Sequence, residues 1–264
     1  MKNLCLLWSM VVAAALLVQP LVTASAGAFS FGVVNDPVGN PVFPSYQTVG
    51  VASSDVGDSF LINWLLPANI AGGAGMELSG SALFTVDAFN STQLDLTIKV
   101  TNSTDANFRA AILALGVGVE PNATASLLMA GSVFGGVDAG NGPNQTFPGG
   151  FKNIDFCAFA AGGCNGGDIK DGLQSGGNMD TFKVRLTGSF GTNPMVTLAA
   201  FGAKYQTEVS SYEFPGSACD PNDPDCGGGP SGNPVPEPGT ILLLGSGLAG
   251  LGLWRWKKGT KTQA

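Results

Sequence analysis

The sequence predicts an all-β body, an antiparallel β-sandwich of jelly-roll type, with a short transmembrane helix at the C-terminal end. Three observations carry this reading. Apolar and polar residues alternate with a period of two through most of the middle of the chain, and helical periodicity is nearly absent. Glycine makes up 39 of 264 residues and charged residues only 12%, so turns are frequent and Asn, Thr, Ser, Asp and Gln supply most of the polar surface. An apolar run stands near each end, outside the alternating body.

In chain order, Lys2 is followed by a nearly unbroken apolar stretch from Leu4 to Val18, which Gln19 and Pro20 end. That is short of the roughly 20 apolar residues a membrane helix needs. Ala24-Ser25-Ala26 then has the small-x-small form of a signal peptidase site. Residues 1–26 are therefore expected to be a signal peptide, with the mature chain starting near Gly27 outside the cytoplasm.

The first clear strand is Ser59–Leu66, with Phe60, Ile62 and Trp64 on one face; Pro67 ends it because it cannot donate to a ladder. Ser79–Phe89 turns Phe84, Val86 and Ala88 inward, with Thr85 and Asp87 outward. Asn90-Ser91-Thr92-Gln93 is a hairpin turn, and Thr92–Thr101 follows with Leu94, Leu96, Ile98 and Val100 against Asp95, Thr97 and Lys99. Asn102-Ser103-Thr104-Asp105 is expected to make the next hairpin. Ala110–Val119 is apolar on both faces, as for a central strand or one covered by a loop. Asp180–Phe190 sets Phe182, Val184 and Leu186 against Thr181, Lys183, Arg185 and Thr187, and Val196–Phe201 and Lys204–Phe214 complete the series. Weaker candidates before Ser59 bring the total to about eight or nine strands. Strands joined by short links pair antiparallel. Half-wetted strands without helices to cover them bury their apolar faces against a second sheet.

Gly131–Gly150 and Gly162–Gly177 are glycine-rich loops, a length at which loops are either functional or mobile. The body is expected to span 27–218, with a Cys/Pro/Gly-rich linker over 219–235 that holds it clear of the membrane.

Between Gly27 and Val235 stand 7 Lys and Arg against 18 Asp and Glu, a net charge of −11. Nucleic acid is excluded as a partner on that balance, since its binding runs on Lys and Arg neutralising phosphate. The chain has no histidine, which removes Ser-His-Asp and Cys-His nucleophiles and histidine-held metals. Four cysteines remain after Cys5, in two pairs of one spacing, Cys157-x6-Cys164 and Cys219-x6-Cys226. In an exported chain they imply disulfides with three connectivities open, of which two local bridges are favoured. The spacing argues against a four-thiolate zinc site.

No catalytic residues are assigned. Asp87 with Asp95 across a hairpin, or Glu120 at a strand end, are the carboxylates a glycosidase could use, but solvated charge on an outward sheet face is the favoured reading. No cofactor is expected other than calcium. Asp220, Asn222, Asp223 and Asp225 offer hard oxygen ligands at short spacing, although the glycine and the terminal glutamate of an EF-hand loop are missing; an acidic linker bounded by Cys219 and Cys226 is the plainer reading. Asp168 and Asp171 are weaker candidates. Carbohydrate binding needs exposed aromatics, and the body has Trp64, Tyr46, Tyr205 and Tyr212. Trp64 falls in register with the core, whereas Tyr205 and Tyr212, on opposite faces of one expected strand, leave at least one to face out.

After Pro236-Glu237-Pro238 comes an apolar run, Thr240–Trp254, and then Arg255, Lys257 and Lys258, with Lys261 beyond. Residues 241–254 rise about 21 Å as a helix, against a hydrocarbon core of ~30 Å; counting 240–256, the run is marginally long enough. Trp254 and Trp256 suit the interface, and the basic cluster marks the cytoplasmic side. This three-part arrangement over 236–264 resembles the PEP-CTERM sorting signal of Gram-negative bacteria, with Gly239 where many members have Ala and Arg-Trp-Lys-Lys where many have an Arg run. The resemblance implies recognition in the inner membrane by an exosortase-type protease, cutting near Pro236-Glu237-Pro238. It also implies release to the cell surface or an extracellular matrix rich in polysaccharide, as in biofilm. The body is similar to the cistern group of small PEP-CTERM proteins in the strand Ser59–Leu66, the paired region Ala82–Thr101, the Cys157–Cys164 loop and the last strand Tyr205–Phe214; that resemblance implies no activity.

Overall fold

The computed structural model describes residues 29–35, 45–69, 74–139, 147–151, 154–223 and 226. The expected signal peptide over 1–26 and the sorting signal over 236–264, with its transmembrane helix, lie outside the described residues. Among the described residues no helix is long and apolar enough to cross a membrane.

The described chain is built from strands: β1 (Ser30–Asn35), β2 (Ser45–Ala52), β3 (Ser59–Leu66), β4 (Leu78–Phe89), β5 (Gln93–Asn102), β6 (Ala110–Glu120) and β7 (Thr124–Met129), then β8 (Gly136–Ala139), β9 (Phe156–Phe159), β10 (Leu173–Gln174), β11 (Asn178–Thr187), β12 (Met195–Thr207), β13 (Ser211–Pro215) and β14 (Ser217–Cys219). Short 3-10 turns at Ser53–Asp55 and Ile169–Asp171 complete it. Every pairing is antiparallel. One sheet runs β1-β2-β12-β6-β9-β8, with β10 beside β6 and β13 beside β12; the other runs β14-β3-β4-β5-β11-β7. The apolar faces of the two sheets meet in one core, so the expected antiparallel sandwich is what forms.

Alternation explains the core. Phe60, Ile62 and Trp64 of β3, Leu94, Leu96, Ile98 and Val100 of β5, and Phe182, Val184 and Leu186 of β11 are all buried, as the sequence predicts. Phe60 stacks on Phe84 with ring centroids 5.0 Å apart, and Phe201 of the opposite sheet meets both edge-on. Each fully buried side chain of this size contributes roughly 1.5–3 kcal/mol.

Three expectations fail, each where pairing overrides local pattern. In β4 the ladder with β5 shifts between Val86 and Ala88, a bulge that inserts one residue and reverses the alternation. Phe89, not Ala88, therefore points inward, and packs on Phe190 at 5.4 Å. The expected strand Lys204–Phe214 is a hairpin instead: β12 runs on from Met195 through Thr207 and returns as β13, with Tyr205 opposite Tyr212. Thr207 makes the turn, its Oγ1 donating to the Ser210 carbonyl and accepting from the N–H groups of Val209 and Ser210. Finally, Asn102–Asp105 joins β5 to β6 across the two sheets and makes no hairpin. The buried Asn102 side chain bridges the layers by donating to the carbonyls of Ala110 and Leu173.

β6 is apolar on both faces for two reasons at once. It lies inside its sheet, and its outer face is covered by the end of the first glycine-rich loop and the residues that follow it. Phe147, Phe151 and Ile154 pack there with Tyr46, Ala114 and Ala200 in a second, smaller core. Glycine is required beneath them: a Cβ on Gly116 would lie 2.8 Å from the Phe147 ring, and one on Gly202 would lie 2.9 Å from it. The strands also exceed the expected eight or nine: the glycine-rich loops contain the short strands β8 and β10, and β7, β9 and β14 are short strands that no clear alternation marked.

Candidate functional site

The expected sites fall in three places. The first is the exit from the sandwich. β14 pairs with β3 at the edge of its sheet, and Cys219, its last residue, is bonded to Cys226. Asn63 of β3 directs its side-chain amide at both sulfurs, at 3.5 and 3.9 Å, so β14 ends in a stapled loop. Inside the loop, Asp220 Oδ1 accepts hydrogen bonds from the backbone and side-chain N–H groups of Asn222, at 2.8 and 3.1 Å. Asp223 N–H then donates to the Asp220 carbonyl, and Cys226 N–H to the Asp223 carbonyl. Of the four calcium candidates, Asp220, Asn222 and Asp223 share this tight turn, and Asp225 lies outside the described residues. Among the described residues, no group of three or more His, Cys, Asp or Glu side chains is placed to hold a metal ion. The other bridge, Cys157–Cys164, closes the loop next to β9. There Asp168 accepts from Lys170 N–H, which with the Lys170 ammonium holds its carboxyl below the usual range.

The second place is the outer face of the β4 sheet, where the structure separates the paired carboxylates. Asp95 receives a two-pronged bond from Arg185, Nε to Oδ1 and Nη2 to Oδ2, both at 2.8 Å. Asp87, displaced by the bulge, accepts from Lys183 Nζ at 3.0 Å and from Thr97 Oγ1 at 2.6 Å. Each carboxylate thus has its own cation across the strands, an arrangement for joining β4, β5 and β11 and not for sharing a proton. The aromatics likewise turn inward. Trp64 and Tyr205 are buried, and Trp64 Nε1 donates to the Phe201 carbonyl at 2.8 Å. Tyr212 is half-buried against the core. They form no flat exposed platform.

The third place combines one anticipated residue with one that sequence reasoning missed. On the outer face of the β6 sheet, a cavity of about 480 Å³ opens over β2, β12 and β6. Its floor is made of small residues because register lines them up: Gly118 of β6 faces Ala199 of β12, which faces Thr48 of β2. The ladder between β12 and β6 slips between Ala199 and Gly202, where Ala200 takes φ = 56°. This left-handed conformation costs a non-glycine residue about 1–2 kcal/mol. The bulge points Ala199 and Ala200 to the same side, and both touch the outer core.

At one end of this cavity are Glu120, the predicted strand-end carboxylate, and Asp155, which no sequence argument singled out. Asp155 is 5% exposed, and its Oδ2 accepts from Val119 N–H at 2.6 Å. Burial pushes its carboxyl up and the Val119 N–H pulls it back; the charge of Glu120 adds to the rise, and the net shift is upward. The available signal was local: Asp155 is the one charged residue in the run Ile154–Ala161, otherwise apolar or small. A carboxylate drawn inside by such a run needs a partner, and Asp155 has the Val119 N–H.

With the geometry in place, comparison with known proteins adds one finding about the tail. Residues 234–258 match the PEP-CTERM protein-sorting motif. That motif, on a disulfide-bonded β-sandwich, makes the chain an exported, PEP-CTERM-sorted surface protein, which an exosortase-type system handles. No curated protein matches the chain.

Proposed function

We propose that this protein is a non-enzymatic component of the cell surface or extracellular polysaccharide matrix, as in biofilm. The observation that carries the proposal is the sorting motif at 234–258, set on a body whose candidate carboxylates Asp87 and Asp95 are held by Lys183 and Arg185. In this reading signal peptidase removes 1–26, and the sandwich of 27–218 crosses to the outside. Helix 240–256 then holds the chain in the inner membrane, with Arg255, Lys257 and Lys258 on the cytoplasmic side. The linker 219–235 presents Pro236, Glu237 and Pro238 to an exosortase-type protease, and the stapled Cys219–Cys226 loop keeps the cleavage region off the folded body.

The alternative reading, a sugar-binding or calcium-assisted lectin-like module, keeps Asp220, Asn222, Asp223 and Asp225 as its calcium ligands but loses the aromatics expected to stack on sugars. The delivery reading is tested by replacing Arg255, Lys257 and Lys258 together with Gln and fractionating the producing cells. The expected outcome is a chain that stays unprocessed and fails to reach the surface. Processing, topology and final location identical to wild type would overturn it, because positive charge is what sets the orientation of a stop-transfer helix.

A further inference from the structure

We propose that the cavity on the outer face of the β6 sheet is a binding site for a protonated organic amine on a compact apolar frame, its ammonium held between Glu120 and Asp155. The cavity has two chemically different ends. Tyr46, Val34 and Ala200 form an apolar end, and Glu120 and Asp155 an acidic one. The smooth floor of Gly118, Ala199 and Thr48 runs between them, so a ring or short alkyl body lies flat without meeting a side chain longer than threonine. Two residues along a strand span about 6.6 Å, which places the Tyr46 and Glu120 rows roughly 13 Å apart, the length of a small amphipathic molecule.

Charge selects a cation over a neutral or anionic ligand. No Lys or Arg is among the described residues lining the cavity, in contrast to Asp87 and Asp95 on the opposite sheet, each of which has one. The buried Asp155 carboxylate has one described donor, the Val119 N–H, and that bond is made at Oδ2; among the described residues none reaches Oδ1. A carboxylate with one oxygen left unbonded among the described residues, beside a second carboxylate in a concave apolar wall on a body of net charge −11, concentrates negative potential that favours a cation. A protonated amine supplies up to three donors and an apolar stem, which matches both ends.

The test uses three probes on one phenylethyl frame against the disulfide-intact protein: 2-phenylethylammonium, the neutral 2-phenylethanol and the anionic 3-phenylpropionate. Backbone amide NMR shifts are followed at Gly118, Thr48 and Ala199. The amine is expected to shift these signals and to bind about tenfold more tightly than the alcohol, with the carboxylate showing no binding. Asp155→Asn, which keeps an acceptor for Val119 N–H, is expected to remove most of the preference for the amine. Ala199→Leu, which fills the floor, is expected to remove binding of the amine and the alcohol alike. Equal affinity for amine and alcohol, an amine response unchanged by Ala199→Leu, no response to any probe, or calcium displacing the amine from the same residues would each overturn the proposal.

Discussion

Asp180 of β11 is expected to be a costly single charge to remove from the sandwich. Its carboxylate closes the turn after β7: Oδ1 accepts from Ser132 N–H at 2.8 Å and Ser132 Oγ–H at 2.9 Å, and Oδ2 from Val133 N–H at 3.0 Å and Phe134 N–H at 2.7 Å. Gly131 lets the carboxylate lie over the turn, since a Cβ there would overlap Asp180. The turn sends Phe134 into the core, where it meets Phe182, two residues along from Asp180, at 5.2 Å. Asp180→Asn keeps one acceptor oxygen and points an amide at two N–H donors. Losing two bonds to a charged acceptor, each worth about 1.5–3 kcal/mol, predicts a destabilisation of about 3 kcal/mol at pH 7. Burial by itself would raise the Asp180 carboxyl, but the N–H groups of Phe134, Val133 and Ser132 together outweigh it and hold it below its ordinary value of 3.8. A depressed carboxyl contributes stability above its unfolded value and loses it as pH falls through the folded one. The gap between wild type and Asp180→Asn is therefore expected to be constant from pH 7 down to about 5 and to close below about 4. Urea unfolding followed by circular dichroism at pH 7 and pH 3 measures both. A difference under about 1 kcal/mol at pH 7, or one that persists undiminished at pH 3, would refute the account.

Two further outcomes follow from buried polar groups. Among the described residues the Tyr205 hydroxyl is the buried side-chain polar atom that lacks a hydrogen-bond partner, and burial pushes its phenol upward. Tyr205→Phe is expected to stabilise the protein by about 1 kcal/mol in the same urea assay; a loss of that size would mean the hydroxyl has a partner in solution. Lys204, 5% exposed, donates to Glu213 at 2.9 Å and to Ser211 Oγ at 2.6 Å. Lys204→Met leaves the half-buried Glu213 carboxylate without its cation, though Ser211 Oγ–H still donates to it, and is expected to cost about 2 kcal/mol, most of it recovered in Lys204→Met/Glu213→Leu. Additive losses in that double variant would count against the pair.

One residue of the candidate cavity could be read before the fold was known, and the residues show why the rest could not. Glu120 was visible as a carboxylate at a strand end. Its neighbour Asp155 lies 35 positions further on and reaches the same cavity because β9 pairs with β6. Asp87 and Asp95 looked like a pair across a hairpin; a one-residue bulge and the arrival of β11 gave each its own cation. The glycine-rich stretch 131–150 looked irregular because the surface that Phe147 covers exists only once β6 and β12 have placed Gly116 and Gly202 side by side.

Within the body, the sequence by itself determined which residues face inward along β3, β5 and β11, because side chains on a strand alternate with a fixed period of two. It also determined that half-wetted strands without helices must close against a second sheet, and that the tail carries a sorting motif, since each of these is written in neighbouring residues. The tertiary structure alone decided which strands pair, where the ladders slip at Val86 and Ala199, and which carboxylates receive a cation. Those outcomes depend on contacts between residues far apart in the chain, whose free energy no local period contains. The cavity over Gly118 and Ala199 belongs to that second kind: small residues from three strands become a floor only in register.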